Sequence, residues 1–386
     1  MTRRIYSLRE IAPAVPAITS PVGETVWLLN LDQIEPHTGT LLSKEFVARN
    51  SLGSSTHAFD DGNVLYSKLR PYLNKVLLPE TAGHCTSELV PMRPNQKLVT
   101  RKYLAAYLRS PSFLNWVSQQ VDGAKMPRVS MKVLWEHKIE LPSLDEQQRI
   151  AAILDKADSL RSKRQDAIRL ADEFLQATFF HSFGDADTNR RAWPLVRLEE
   201  IAVQVTDGEH QTPQRSSAGV YLLSARNVQN GYLALQDVDY VPQEEFERIR
   251  RRCEPKRGDI LISCSGSIGR VATVTTDDQL ALVRSVALVR PDTTRVRSCY
   301  LEHLLRSAPM QRRMVAASKS SAQANLFQGP IRALPVMVPP IDAQVRFEQI
   351  VARVLSLGEK SAAASDNLKV FTKSLQSNLL HSGLVQ

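Results

Sequence analysis

Apolar residues recur along this chain in two rhythms. In the stretch from Leu141 to Gly184 apolar or small residues fall at Ile150, Ile153, Ala157, Leu160, Ala167, Ala171, Phe174 and Thr178, in alternating steps of three and four broken only at Arg164. Leu154, Ile168 and Leu175 widen the stripe on one side. That period belongs to a helix with another helix beside it. Pro142 stops the preceding segment, Ser143 with Glu146 forms a capping box, and Gly184 supplies a terminator. The spacing predicts one helix of about 35 residues, a rod of roughly 50 Å, about three times the ordinary globular helix. Such an element is a spacer or a dimerising strut.

The stretch returns 197 residues later, where Leu141–Gln147 becomes Val338–Gln344. The stripe becomes Phe347, Ile350, Val354, Leu357, Ala364, Leu368, Phe371 and Leu375, and His181-Ser182 finds a counterpart in His381-Ser382. The second copy loses the capping box, because Pro340 and Ala343 replace Ser143 and Glu146. It also holds Gly358 inside the rod, which costs about 1 kcal/mol relative to Ala.

The second rhythm is short. Brief apolar runs predict strands at Val26–Leu31, Asn63–Ser67, Lys75–Leu78 and Glu88–Met92, with helices at Lys102–Ser110 and Ser112–Val121. The order repeats as Val220–Ala225, Asp259–Ser263, Arg270–Val274, Ala281–Val289 and a helix at Ser298–Ser307. Further matches include Ser7–Ala12 with Arg197–Ala202 and Arg93-Pro94 with Arg290-Pro291. The offset drifts from 190 to 197 and then holds, so the early loops of the two halves differ in length. The chain is a two-fold internal duplication, block–rod–block–rod. Residues 1–142 and 185–338 are the blocks, and 143–184 and 339–386 the rods. The polar stretch Gly184–Arg191 reads as a short inter-domain linker.

Composition adds a bias. The net charge is +9; the first block holds +5 and the second +4, while the rods hold −1 and +1. The excess sits in the blocks, which suits a polyanion partner. Cys85, Cys253, Cys264 and Cys299 share no metal-ligand spacing and read as reduced thiols of a cytoplasmic protein. The first residues, MTRRIYSLREIA, are basic without an apolar signal core, so secretion is not expected, and no apolar run is long enough to span a membrane. No phosphate loop, nucleophile elbow, zinc-hydrolase helix or Asp/Asn-Pro-Pro-Tyr/Phe segment is present, so no catalytic residue and no metal is assigned.

Two motifs then carry a resemblance. Gly62–Val76 (GNVLYSKLRPYLNKV) and Leu141–Ile150 (LPSLDEQQRI), with partners at Asp259–Val271 and Val338–Gln344, resemble the specificity subunit of type I restriction–modification systems over essentially the whole chain. The resemblance implies an α+β protein with two mixed α/β target-recognition domains separated by two long antiparallel helices. Each domain would read one half of a bipartite, asymmetric double-stranded DNA target. The helices would set the gap and dock two modification (methyltransferase) subunits. Adenine methylation with S-adenosylmethionine would belong to those partners, and ATP and Mg to further restriction subunits. This chain would be a non-catalytic member of the complex. Two other readings stay open: a self-contained DNA-binding nuclease with a duplicated recognition module, and a coiled-coil adaptor whose blocks bind protein.

Candidate contacts follow, each beside a plainer alternative. Lys68, Arg70 and Lys75 flank a turn with Tyr72 between them, a pattern that suits phosphates or a guanine edge; the alternative is a solvated turn with Tyr72 packed inward. The matching turn presents Ser265, Ser267 and Arg270, as a phosphate cradle or as a hairpin that needs its glycines. Lys125 and Arg128 before the first rod, and Lys319, Gln323 and Asn325 before the second, are groove or phosphate ligands or ordinary surface loop. Gln211 reads adenine, or belongs to an Asp-Gly turn that fixes an edge strand. The basic run Arg248–Arg252 is a phosphate patch or, preferably, a helix face offset by Glu244, Glu245 and Glu247.

Overall fold

The computed structural model describes residues 4–17, 23–123, 125–318 and 325–357. Contacts divide the chain into two compact units, and the division falls between Arg164 and Gln165. The long helix Leu144–Phe183, 40 residues, therefore gives its first half to one unit and its second half to the other.

In the first unit, Arg4–Ser7 pairs antiparallel with Lys138–Leu141, the strand that feeds the long helix. Ser7 and Glu10 close a capping box over the short helix Leu8–Ile11. Two sheets follow. One orders Glu45–Ala48, Thr25–Leu29, Gly83–Thr86 and Thr56–Phe59; the other orders Val76–Leu77, Val64–Ser67 and Leu89–Met92. All four residues of Val64–Ser67 are buried, as a central strand of the apolar run VLYS requires. Helices Arg101–Leu108 and Pro111–Ser118 pack beside it, each started by a hydroxyl cap, Thr100 and Ser110.

The second unit repeats this plan. Leu195–Arg197 pairs with Pro335–Met337, Val220–Leu223 runs parallel to Leu280–Leu282, and Ile260–Ser263 lies between Val271–Thr273 and Val286–Pro291. The predicted single strand Ala281–Val289 is two strands. A turn at 283–285 sends Leu280–Leu282 to one sheet and Val286–Pro291 to the other, and an apolar run gives no sign of such a break. Helices Ser298–Arg306 and Ala308–Ser318 follow. The helix Gln243–Arg250 is an addition of the second unit, and its arginines pair with Glu245, Glu247 and Glu254, as a charge-balanced helix face does.

The long helix starts at its expected cap, with the Glu146 amide donating to Ser143 Oγ at 3.3 Å. Its stripe is not buried as one seam. Ile150, Ala151, Leu154 and Ala157 are buried at one end, and Leu175, Phe179 and Phe183 at the other. No residue from 158 to 174 is buried, and Leu160 and Phe174 of the expected stripe are 44% and 54% exposed. The two ends pack on different units, so each buries its own face. The second rod is helical over 341–357; Phe347 packs its ring 5.4 Å from Phe179 and 5.6 Å from Phe183. Its further predicted positions, from Gly358 to Leu375, lie outside the described residues.

The two helix entries share a lock. Gln147 is fully buried; its Oε1 accepts the Thr100 amide at 2.8 Å, and its Nε2 donates to the Leu98 and Pro142 carbonyls at 2.9 and 3.0 Å. Gln344, also fully buried, repeats this with the Arg297 amide at 2.8 Å and the Arg295 and Pro339 carbonyls at 3.2 and 2.8 Å. Each glutamine satisfies backbone groups that would otherwise be buried without partners. In doing so it ties the first turn of its rod to the loop before the helix pair of its unit.

The stretch Gly184–Arg191, expected to be a linker, belongs to the second unit. Asp187 pairs with Arg312 and Arg313 at 2.6 and 2.8 Å, Ala186 is buried, and the Trp193 indole donates to the Phe183 carbonyl at 2.9 Å. A polar sequence does not distinguish a free hinge from a loop held by such contacts.

Candidate nucleic-acid interface

Two loops that sequence reasoning nominated separately meet in each unit. In the first unit the chain leaves Val64–Ser67, turns, and returns at Lys75, whose carbonyl accepts the Ser67 amide at 3.1 Å. Arg70 and Asn74 both adopt left-handed backbone, φ +47° and +50°. Against this turn lies the segment 126–129. The Arg70 amide donates to the Pro127 carbonyl at 2.7 Å, the Val129 amide to Lys68 at 3.1 Å, and Leu69 bridges Arg128.

The second unit uses the same fastening. Ser263 and Arg270 close the turn at 2.9 Å, the Leu326 amide donates to the Cys264 carbonyl at 2.8 Å, and Ser265 bridges Asn325. Behind each turn the next strand is held alike: the Lys68 amide donates to Glu88 at 3.0 Å and the Cys264 amide to Ser285 at 2.8 Å. The glycine reading of the second turn holds, since Gly266 and Gly269 have φ +67° and +85°. Gln311 braces it from behind, donating to the Gly269 and Leu305 carbonyls at 2.7 and 2.8 Å.

The side chains divide into presented and engaged. Arg70, Tyr72 and Lys125 are exposed, Tyr72 by 43%, so its ring is not packed inward; Lys68 is half-buried. Lys75 instead turns into the unit, its ammonium donating to the Leu31 carbonyl at 2.6 Å, and burial lowers its pKa. Arg128 is held by Glu88, with Nη2 to Oε1 at 2.8 Å and Nε to both carboxylate oxygens at 3.1 Å. That pairing pushes the Arg128 pKa up and holds the Glu88 carboxyl below its ordinary range. Sequence reasoning missed Glu88, because nothing in the spacing links positions 40 residues apart. In the second unit Ser267 is exposed, while Ser265, Arg270 and Asn325 are half-buried; Lys319 and Gln323 lie outside the described residues.

Gln211 is exposed on a braced turn. Asp207 accepts from Arg252 and His210 at 2.8 Å and from Gln328 at 2.6 Å, and Arg248 ties Glu209 to Glu245. Burial pushes the Asp207 pKa upward, but Arg252 and His210 outweigh it and leave it low. Gly208 is required here, because a Cβ would stand 2.4 Å from the Leu282 carbonyl oxygen. Arg290 and Arg93, matched in the sequence, clamp the base of the central strand through Asp259 at 2.6 Å and Asp60 at 2.8 Å.

The four thiols are free, and burial pushes each up to about 12, which makes them poor nucleophiles at neutral pH. Among the described residues no group of three or more His, Cys, Asp or Glu is placed to hold a metal ion, and no helix is long and apolar enough to cross a membrane.

Residues 57–170 match the type I restriction modification DNA specificity domain. That match covers under a third of the chain, and the chain is similar to type I specificity subunits. The matched segment spans the Lys68–Arg128 fastening and the first half of the long helix. Among curated members, the EcoDI specificity subunit of Escherichia coli is 26% identical over 156 residues, 39% of this chain and 34% of that protein. The EcoBI specificity subunit of the same species is 23% identical over 277 residues, 65% of this chain and 58% of that protein. The chain thus matches from about a third to under three fifths of these relatives' length. Among solved structures, the S subunit from M. genitalium is similar with a TM-score of 0.60 at 13% identity, covering 98% of this chain and 96% of that one. A chain from a study of complex assembly in the type I R-M system is similar with a TM-score of 0.54 at 17% identity, covering 97% and 96%. These two share the fold: α+β, with a long helix between two domains.

Proposed function

We propose that this chain is the DNA-reading, non-catalytic subunit of a type I restriction–modification complex, with each unit reading one half of a bipartite target. The observation that carries the reading is the repeated fastening of a post-strand turn to the pre-rod loop. It builds the same frame twice but presents unlike side chains. Arg70, Tyr72 and Lys125 stand on one frame, and Ser265, Ser267 and Asn325 with the half-buried Arg270 on the other. Phosphate contacts orient and base-edge contacts specify, so like frames with unlike side chains give comparable docking and different half-sites. The basic excess of both blocks supports a polyanionic ligand. Gln211 is a further base-reading candidate, while Lys75 and Arg128 act by holding the frame.

In this reading the long helix is the spacer and, with the second rod, the dock for two methyltransferase subunits. S-adenosylmethionine, with ATP and Mg, serves those partners and the restriction subunits, and the assembly works on DNA in the cytoplasm. The spacer role is tested by deleting Arg161–Ala167, seven residues from the span that buries nothing, which leaves helical phase shifted by only about 20°. Methylation mapping of the reconstituted complex should show a changed gap with both half-sites unaltered. Altered half-site bases would refute it.

A further inference from the structure

A cavity of about 230 Å³ opens in the second unit, where the end of the long helix meets the helix pair Ser298–Arg306 and Ala308–Ser318. Phe179, Phe180 and Pro309 give it apolar walls, and its polar lining includes His303, Ser307 and the charged Arg306. Two polar atoms are buried without a hydrogen-bond partner among the described residues: Nε2 of His303 and Oγ of Ser307. His303 is 8% exposed. Its Nδ1 lies 2.9 Å from the Cys299 carbonyl, an acceptor only, so Nδ1 carries the hydrogen and Nε2 offers a lone pair. Burial lowers the His303 pKa, which keeps the ring neutral near pH 7.

The duplication shows that neither orphan is inherited from the shared frame. At the matching positions the first unit has Ala106 and Ser110, and Ser110 Oγ is engaged, with Ser112 Oγ at 3.0 Å and the Phe113 amide at 3.3 Å. The first unit also shows what a buried imidazole in an aromatic nest binds. His137 packs among Phe113, Trp116 and Tyr107, and its Nε2 is met by the Tyr107 hydroxyl at 2.8 Å. His303 has the nest, with Phe179 stacked at 6.3 Å and Phe347 edge-on at 5.0 Å, but no such hydroxyl: Leu304 stands where Tyr107 does.

We infer that this cavity is a binding site for a planar aromatic group bearing one N–H or O–H donor, an indole or a phenol, which stacks against Phe179 and Phe180 and donates to His303 Nε2. Ser307 Oγ is a second polar contact for a substituent. Size permits this, since an apolar cavity of roughly 150 Å³ holds benzene and the volume here has room for a fused pair of rings. Occupancy would join the end of the long helix to the helix pair.

The test titrates the full chain with indole and with N-methylindole, which keeps the ring and removes the donor, by ligand-observed NMR. Indole should bind at least about tenfold more tightly, the scale of a buried acceptor left unpaired. His303→Phe should abolish that preference. Equal binding of the two probes, saturation by neither, or an undiminished preference in the variant would each overturn the assignment. If the variant fails to fold, the probe pair on the unaltered chain decides alone.

Discussion

The two units agree where the backbone is held and differ where side chains are offered. The glutamine locks at Gln147 and Gln344 use the same atoms on the same backbone positions, and the turn-to-loop fastenings share the Val129–Lys68 and Leu326–Cys264 bonds and the Leu69–Arg128 and Ser265–Asn325 bridges. Against that, the first turn offers Arg70 and Tyr72 and the second Gly266 and Ser267. Duplication kept what fixes a loop and freed what the loop presents. Under the proposed reading, in which two unlike sequences are met on one duplex, that is the useful division, because position is generic and reading is specific.

The largest way to break the comparison is at the locks. Gln147→Leu and Gln344→Leu each strand one amide and two carbonyls, and each should cost about 3 kcal/mol. Amide exchange should rise at Thr100 in the first variant and at Arg297 in the second, each leaving the other unit unchanged. Exchange spreading through both units would show that the locks are not independent.

Acid should then act on the first unit through its buried histidine. Burial lowers the His137 pKa to about 4, against about 6.5 for a free imidazole. The unfolded chain binds the proton first, so the stability of the neutral ring is complete above 6.5 and falls as pH drops towards 4. Exchange around Tyr107 and Trp116 should quicken across that window, and His137→Phe should flatten the response. An unchanged response would show that another group governs it.

The smallest effect sharpens the division between presented and engaged cations. Arg70→Ala and Lys125→Ala should each weaken DNA binding by about 1 kcal/mol and reduce the salt slope by roughly one phosphate. Lys75→Ala should act through folding of the turn instead, with the salt slope of the folded protein unchanged. A lost slope in Lys75→Ala alone would reverse the assignment.

Much of this was legible in the sequence. The helix from Ser143 to Gly184 and the central strands near Val64 and Ile260 were plain, because capping, period and repetition agreed there. The burial of the helix was not, because a three-four stripe implies one continuous partner, whereas Ile150 and Phe183 pack on separate units. The pairing of nominated loops was also hidden. Lys68 meets Val129 and Cys264 meets Leu326 through backbone atoms, which leave no trace in residue type. Gln147 was visible as part of a motif, but its reason, three backbone partners in one buried amide, needed coordinates.

The central claim is that the two units read separately. Its most direct measurement replaces residues 1–140 with the corresponding block of a type I specificity subunit and maps methylated adenines in the reconstituted complex at single-base resolution. The account predicts a new first half-site with the second half-site and the gap unchanged. A change in both half-sites, or in neither, would contradict it.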